Sequence, residues 1–85
     1  MKKIPFRSQN PKGLHRRYYI EKVDPDGIPM RCDENAEYFV LRLDKAGRDS
    51  EHVKAGRIGV HAYADAIAHH LPQLAADLKE RYPLL

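Results

Sequence analysis

The sequence has a single cysteine and no long apolar run, and each of these features excludes a class of protein. Because Cys32 has no second cysteine to pair with, an intrachain disulfide is excluded and a reducing compartment is favoured. One cysteine with scattered histidines also excludes the usual structural zinc patterns. No run of about 18 apolar residues is present, so no membrane span is predicted. The N-terminal segment lacks the apolar core of a signal peptide, and we expect a cytoplasmic protein.

The spacing patterns that mark common catalytic and nucleotide-binding sites are also missing. The chain contains no G-x-S-x-G, P-loop or G-x-G-x-x-G pattern. Cys32 is flanked by Arg31, which favours the thiolate, and by Asp33 and Glu34, which disfavour it. We therefore predict a protein that is not an enzyme and that binds no cofactor.

Three potential metal ligands share one predicted helix face. His61, Asp65 and His69 are four residues apart, a spacing that aligns side chains along a helix. Imidazole and carboxylate groups could ligate a transition metal there. Side chains stacked along a straight helix diverge, however, whereas a metal site needs ligands that converge on one point. We favour a solvated face, and no metal site is predicted.

The net charge of +3 conceals a basic N-terminal segment. Residues 1–22 carry seven Lys and Arg side chains against Glu21, a balance of +6, while the remaining residues carry eight positive and eleven negative side chains, a balance of −3. Such a segment is typical of proteins that bind nucleic acid or an acidic surface, and also of solvated leaders. The candidate nucleic-acid contacts are six cations and one tyrosine that could stack on a base: Lys2, Lys3, Arg7, Lys12, Arg16, Arg17 and Tyr19.

Two segments have the composition of β-strands. His15–Val23 is rich in aromatic and β-branched residues, and a turn sequence at residues 24–27 closes it. Residues 28–31 could pair with it after the turn, although Pro29 restricts them to a sheet edge. Glu37–Leu43 alternates more clearly. The side chains of this second strand that we assign to the core, against a helix, are Phe39, Leu41 and Leu43.

Two helices are predicted after the strands. Apolar residues recur at the helical period from Asp49 to His70, and Asp49 or Ser50 can cap the first turn. A second helix is predicted from Pro72 to Tyr82, because proline is tolerated in a first helical turn. The apolar stripe predicted for the long helix comprises Val53, Gly56, Val60, Tyr63 and Ile67.

Strands that precede helices along the chain indicate an α+β fold. We predict an antiparallel β-hairpin sheet of two or three strands, followed by the long helix and a short C-terminal helix packed on one face. Residues 1–14 are predicted to form a basic, partly mobile arm, and residues 15–85 a single domain. Because a chain of this size has a small core, a homodimer is expected.

Beside the apolar stripe of the long helix lies a second stripe of small residues: Ala55, Gly59, Ala62 and Ala66. Glycine within a helix costs up to about 1 kcal/mol relative to alanine. The presence of Gly59 therefore suggests a close approach of another backbone that offsets this cost. That backbone could belong to the same chain or to a symmetry-related copy, and the sequence leaves both interpretations open.

Four segments of the chain resemble small hypothetical proteins of bacteria and their prophages. These segments are RYYIEKVD at 17–24, ENAEYFVLRLDK at 34–45, EHVKAGRIGVHAYADAI at 51–67 and HLPQLAADLKERY at 70–82. The similarity covers roughly residues 15–82, with a YFVLRLD strand that precedes an AYADAI helix. It implies a bacterial or phage setting and carries over no activity, cofactor or site residue.

These patterns together predict a small, non-catalytic interaction module that forms a homodimer and binds another macromolecule. The alternative is a nucleic-acid-binding protein that uses the basic N-terminal segment. The two hypotheses place the functional surface on different parts of the chain.

Overall fold

The computed structural model describes residues 3–31, 33–46 and 49–85. In chain order the elements are β1 (Lys22–Val23), β2 (Pro29–Met30), α1 (Ser50–Ile67) and α2 (Pro72–Arg81). An antiparallel hairpin followed by a long and a short helix confirms the predicted α+β class. The chain divides into two compact units, a hairpin unit over Met1–Val40 and a helical unit over Leu41–Leu85. The predicted boundary after residue 14 stays a prediction, and Cys32 lies outside the described residues.

The hairpin is closed by the turn that follows β1. Lys22 lies opposite Met30, and Val23 lies opposite Pro29. One carboxylate oxygen of Asp24 accepts hydrogen bonds from the backbone amides of Asp26 and Ile28, both at 2.9 Å. Gly27 has a positive φ of 83°, which suits glycine because it lacks a Cβ. The predicted turn and the pairing of Pro29 at an edge are thus confirmed.

The predicted extents of the two main strands are wrong. Only the last two residues of His15–Val23 form a strand, and Glu37–Leu43 contains none. Their strand-like composition reflects a preference for a paired and half-buried surface, and no neighbouring strand in the described chain supplies one for these segments. Phe39 is 74% exposed and therefore does not belong to the core, whereas Leu41 and Leu43 are half-buried.

Hydrogen-bonded turns close residues 5–16 into a loop, which we call the N-terminal loop. Phe6 and Arg16 form an isolated parallel bridge, and the Arg16 amide donates to the Pro5 carbonyl at 2.8 Å. Inside the loop, the Gln9 amide donates to the Phe6 carbonyl at 3.0 Å, and the Gly13 amide donates to the Asn10 carbonyl at 3.3 Å. Backbone hydrogen bonds therefore order this basic stretch.

Helix α1 begins where a side chain satisfies its first free amides. Asp49 has extended backbone angles, and its carboxylate accepts from the His52 amide at 3.1 Å, which makes Asp49 rather than Ser50 the cap. The helix ends at Ile67, three residues before the predicted end. The amide of His70 donates to the Ile67 carbonyl at 2.9 Å in a turn that leads into α2.

Helix α2 begins at Pro72, as predicted, and ends one residue earlier than predicted, at Arg81. It packs against α1, and Lys79 of α2 forms an ion pair with Asp65 of α1. Within the described residues, neither helix is long and apolar enough to cross a membrane.

The core of the helical unit is small. Its buried apolar residues are Val53, Ala64 and Ala75, and no large side chain in the described chain is fully buried. Gly56 is also buried, because the Leu43 side chain lies so close that a Cβ added there would sit 3.2 Å from Leu43 Cδ2. Of the predicted apolar stripe, Tyr63 is misplaced, since it is 50% exposed.

Candidate functional site

The small-residue stripe lies on the solvent side of α1. Successive residues on an α-helix are separated by about 100°, so Ala62 points about 180° away from the buried Val53. All four members of the stripe are exposed: Ala55, Gly59, Ala62 and Ala66. The helix therefore packs on its own chain along one face and leaves the small-residue stripe exposed on the other, with the Leu41 side chain at its edge beside Gly59.

Two large apolar side chains flank this stripe. Ile58 is 55% exposed on one side of it, and Tyr63 is 50% exposed on the other. Together with the stripe they form a surface that we call the free face of α1, made of Ala55, Ile58, Gly59, Ala62, Tyr63 and Ala66. Small residues in the middle, with larger apolar groups at the sides, would let another helix approach closely.

The two glycines of α1 differ in their surroundings. Gly56 lies beneath Leu43, so a close contact within the chain explains its lack of a side chain. At Gly59 the nearest atom to an added Cβ is Leu41 Cδ1 at 3.9 Å, which is ordinary van der Waals contact. The helix-destabilising cost of Gly59, about 1 kcal/mol, is therefore not offset by a close approach within the described chain.

Sequence reasoning missed Arg57, which is 4% exposed. Its Nε donates to the Leu43 carbonyl at 2.9 Å, and its Nη1 donates to the Pro83 carbonyl at 3.0 Å. The guanidinium also lies 5.8 Å from the centre of the Tyr82 ring. The sequence does carry a signal for the burial of Arg57. It lies one turn after Val53, and this spacing places an arginine on the packed face of the helix.

The positive charge of Arg57 is not balanced by an ion pair within the described residues. Both of its hydrogen-bond acceptors are backbone carbonyls, and one of them lies just beyond the end of α2. The C-terminal end of a helix carries partial negative charge from its unsatisfied carbonyls, which favours a nearby cation. Arg57 thus has a structural function, since it ties α1 to the segment before it and to the segment after α2.

The three candidate metal ligands do not converge, and His69 lies in the turn after α1 rather than on the helix. The Nε2 atom of His61 lies 2.7 Å from the Tyr82 carbonyl, and because a carbonyl can only accept, this nitrogen carries a proton. Asp65 is paired with Lys79. The hydrogen bond from Lys79 lowers the pKa of the Asp65 carboxyl, and the charges of Lys79 and His61 add to this effect. Among the described residues, no group of three potential ligands is close enough to hold a metal ion.

A charged hollow of about 690 Å³ lies at the end of α2. Its lining comprises Asp44, Lys45, Arg57, Asp77, Glu80, Arg81 and Tyr82. Three carboxylates and three cations balance each other in this lining. An ion pair with Arg42 holds the pKa of the Asp44 carboxyl below its usual value. The lining therefore carries no net formal charge.

The candidate nucleic-acid contacts lie in the hairpin unit. Lys2 is outside the described residues. The other six are exposed: Lys3, Arg7, Lys12, Arg16, Arg17 and Tyr19. The guanidinium of Arg16 lies 5.8 Å from the centre of the Phe6 ring, and Tyr19 is 88% exposed. The bridge between Phe6 and Arg16 brings two parts of the basic segment together, which the sequence alone did not indicate.

Comparison with known proteins adds no assignment to these surfaces. No protein-family model, no curated protein and no solved structure matches the chain. The candidate sites are therefore defined by geometry alone: the free face of α1 and the basic surface of the hairpin unit.

Proposed function

We propose that this chain is a small, non-catalytic interaction module that pairs with a second copy of itself through the free face of α1 and, as a homodimer, binds another macromolecule. The observation that carries the proposal is the position of the small-residue stripe, exposed and opposite the packed face of the same helix. A helix that is apolar on two opposite faces is typical of a buried helix rather than a surface helix.

The size of the core supports this proposal. Full burial of a Val, Leu, Ile, Phe or Met side chain contributes about 1.5–3 kcal/mol, and the only buried side chain of this group in the described chain is Val53. A domain of about 60 residues is only marginally stable, and domains below about 40 residues usually need a metal, a disulfide or association with another chain. The helical unit, Leu41–Leu85, lies between these two sizes. Association would supply the missing burial, because Ile58 and Tyr63 each expose about half of their surface.

The shape of the free face supports a second helix as its occupant. Helices pack with their axes about 8–10 Å apart, and small side chains at the contact favour the short end of that range. A two-fold pair buries the same patch on both partners, so one surface suffices for both sides of the contact. In such a pair the close approach at Gly59 would offset the cost of a glycine within a helix.

Two matched variants test the proposal. Ala62→Glu places a charge in the centre of the free face, and Ala76→Glu places the same charge at an exposed position on α2. Because an unpaired charge is costly to bury, we expect Ala62→Glu to be monomeric at concentrations where the native chain and Ala76→Glu are dimeric. Sedimentation velocity gives the mass, and circular dichroism checks that both variants remain helical. Equal association of the two variants would contradict a contact at this face.

We also propose a bacterial or phage origin and a cytoplasmic location. The lone cysteine and the resemblance of four segments to small bacterial and prophage proteins support this setting. Fractionation of bacterial cells that express the native chain tests the location. The chain is expected in the cytosolic fraction, and recovery from the periplasm or the membrane contradicts the proposal.

A further inference from the structure

We infer that the hairpin unit carries a binding surface for single-stranded nucleic acid, a function that goes beyond pairing with a second copy. The surface consists of the N-terminal loop and the segment that follows it, and we call it the basic–aromatic surface. Its members are Lys3, Phe6, Arg7, Lys12, Arg16, Arg17 and Tyr19.

Closure of the N-terminal loop gathers the cations. The parallel bridge joins Phe6 to Arg16, so Arg7 and Arg17 each lie one residue beyond the bridged pair. Turns between these two points keep Lys12 within the same closed loop. Cations that are held near each other before binding neutralise neighbouring phosphates at a smaller cost in conformational entropy than cations on an unstructured segment.

The cations of this surface are available to phosphates. No carboxylate in the described chain lies within ion-pair distance of the five cations, and all five are exposed. The nearest acidic group in sequence, Glu21, accepts a hydrogen bond of 3.5 Å from the Tyr19 hydroxyl. That bond is long and weak, and it involves only the edge of the ring. The charge of the surface is therefore strongly positive.

Two aromatic rings accompany the cations. Tyr19 is 88% exposed and Phe6 is 63% exposed. The Arg16 guanidinium lies 5.8 Å from the centre of the Phe6 ring. Aromatic rings beside a positively charged surface are typical of proteins that bind single strands, because unpaired bases stack on the rings while cations contact the backbone. An acidic protein surface would use the cations and leave the rings exposed to water.

The geometry favours a single strand over a duplex. The major groove of DNA admits an α-helix or a two-stranded ribbon, and the described part of the hairpin unit contains no helix. Its two strands have two residues each, which is too short for a ribbon that follows a groove. Bases in a duplex are also stacked on each other, so exposed rings cannot reach their faces.

Fluorescence anisotropy with the full chain and a labelled single-stranded DNA of about 12 nucleotides tests the inference. If about three phosphates are neutralised, the affinity should fall about 20-fold between about 50 mM and 200 mM salt. An unlabelled duplex of the same sequence and poly-glutamate should compete less well than an unlabelled single strand. Absence of salt-dependent binding, or equal competition by the duplex or by poly-glutamate, would overturn the inference.

Two further variants locate the surface. Removal of both Arg16 and Arg17 by substitution with Ala should weaken binding and flatten its salt dependence, because two phosphate contacts are lost. The control removes two exposed cations of the helical unit, Lys45→Ala with Lys54→Ala, and should change the affinity little. Tyr19→Leu should weaken binding about 5-fold or more if the ring stacks on a base. Equal losses in the arginine and lysine double variants would show attraction by net charge alone and overturn the inference.

Discussion

Arg57 joins three parts of the helical unit through one side chain. It is buried, and its two hydrogen bonds go to the carbonyls of Leu43 and Pro83. An intramolecular hydrogen bond contributes about 0.5–1.5 kcal/mol to stability, so the two bonds of Arg57 together contribute about 1–3 kcal/mol. This residue therefore contributes to stability through contacts that are distant in sequence, and pattern analysis of α1 alone did not identify it.

Substitution of Arg57 by Met should lower the free energy of unfolding by about 1–3 kcal/mol, because the side chain keeps its length and loses both donors. Arg42→Met is the matched control. The ion pair of Arg42 with Asp44 is exposed, and exposed pairs contribute about 0–1 kcal/mol. Urea unfolding followed by circular dichroism measures both variants. Equal effects of the two substitutions would contradict a special position for Arg57.

At the scale of single elements, α1 was predictable because its signals are local. Asp49 provides a cap, and Val53 recurs with later apolar residues at the helical period, so both the start and the packed face follow from short spacings. The early end at Ile67 was not predictable in the same way. His69 and His70 suit a helical end by charge, and the turn that leads to Pro72 instead uses these residues.

The strands were less predictable because a strand needs a partner. Glu37–Leu43 has the alternation of a half-buried strand, and Leu41 and Leu43 use part of that pattern to pack beside α1. Whether such a segment joins a sheet depends on a neighbour elsewhere in the chain, and composition does not report that neighbour. The turn after β1 was predicted correctly since its signal lies within four consecutive residues.

The cap of α1 gives a prediction for one element. Asp49→Ala should lower the free energy of unfolding by about 1 kcal/mol, because the hydrogen bond from its carboxylate to the His52 amide is lost. Ser50→Ala is the control, since Ser50 lies inside the helix and does not cap it. Thermal unfolding compares the two. A larger effect at Ser50 than at Asp49 would show that the cap is misassigned.

The link between the helices predicts a pH dependence. The hydrogen bond from Lys79 lowers the pKa of the Asp65 carboxyl below 3.8. A lowered pKa in the folded chain means that ionised Asp65 stabilises the fold above about pH 4. This contribution is lost as the pH falls through the folded-state pKa. An NMR titration should show a midpoint below 3.8 in the native chain and a higher midpoint in Lys79→Met. An unchanged midpoint would contradict the link.

At the scale of the whole molecule, the helical unit buries only one of the two apolar faces of α1. One face of α1 is packed, the opposite face carries small and apolar residues, and the buried apolar residues are Val53, Ala64 and Ala75. The sequence predicted the small-residue stripe from spacing alone. It could not predict on which side the chain would cover α1, since that depends on where Leu41, Leu43 and α2 come to lie.

The two proposed surfaces lie in different units of the chain. The free face of α1 belongs to the helical unit, and the basic–aromatic surface belongs to the hairpin unit. A homodimer would therefore carry two copies of the nucleic-acid surface. Two linked sites on one strand raise the apparent affinity when both can bind at once, so a monomeric Ala62→Glu variant should bind a long single strand more weakly than the native chain does.

Sedimentation equilibrium of the native chain over a concentration series tests whether two copies pair through the free face of α1. We predict that the mass rises with concentration from 9.8 kDa to twice that value. The thermal midpoint should rise over the same series, because association stabilises only the folded state. A mass of 9.8 kDa at every concentration up to about 100 μM, with a constant thermal midpoint, would contradict pairing through the free face of α1.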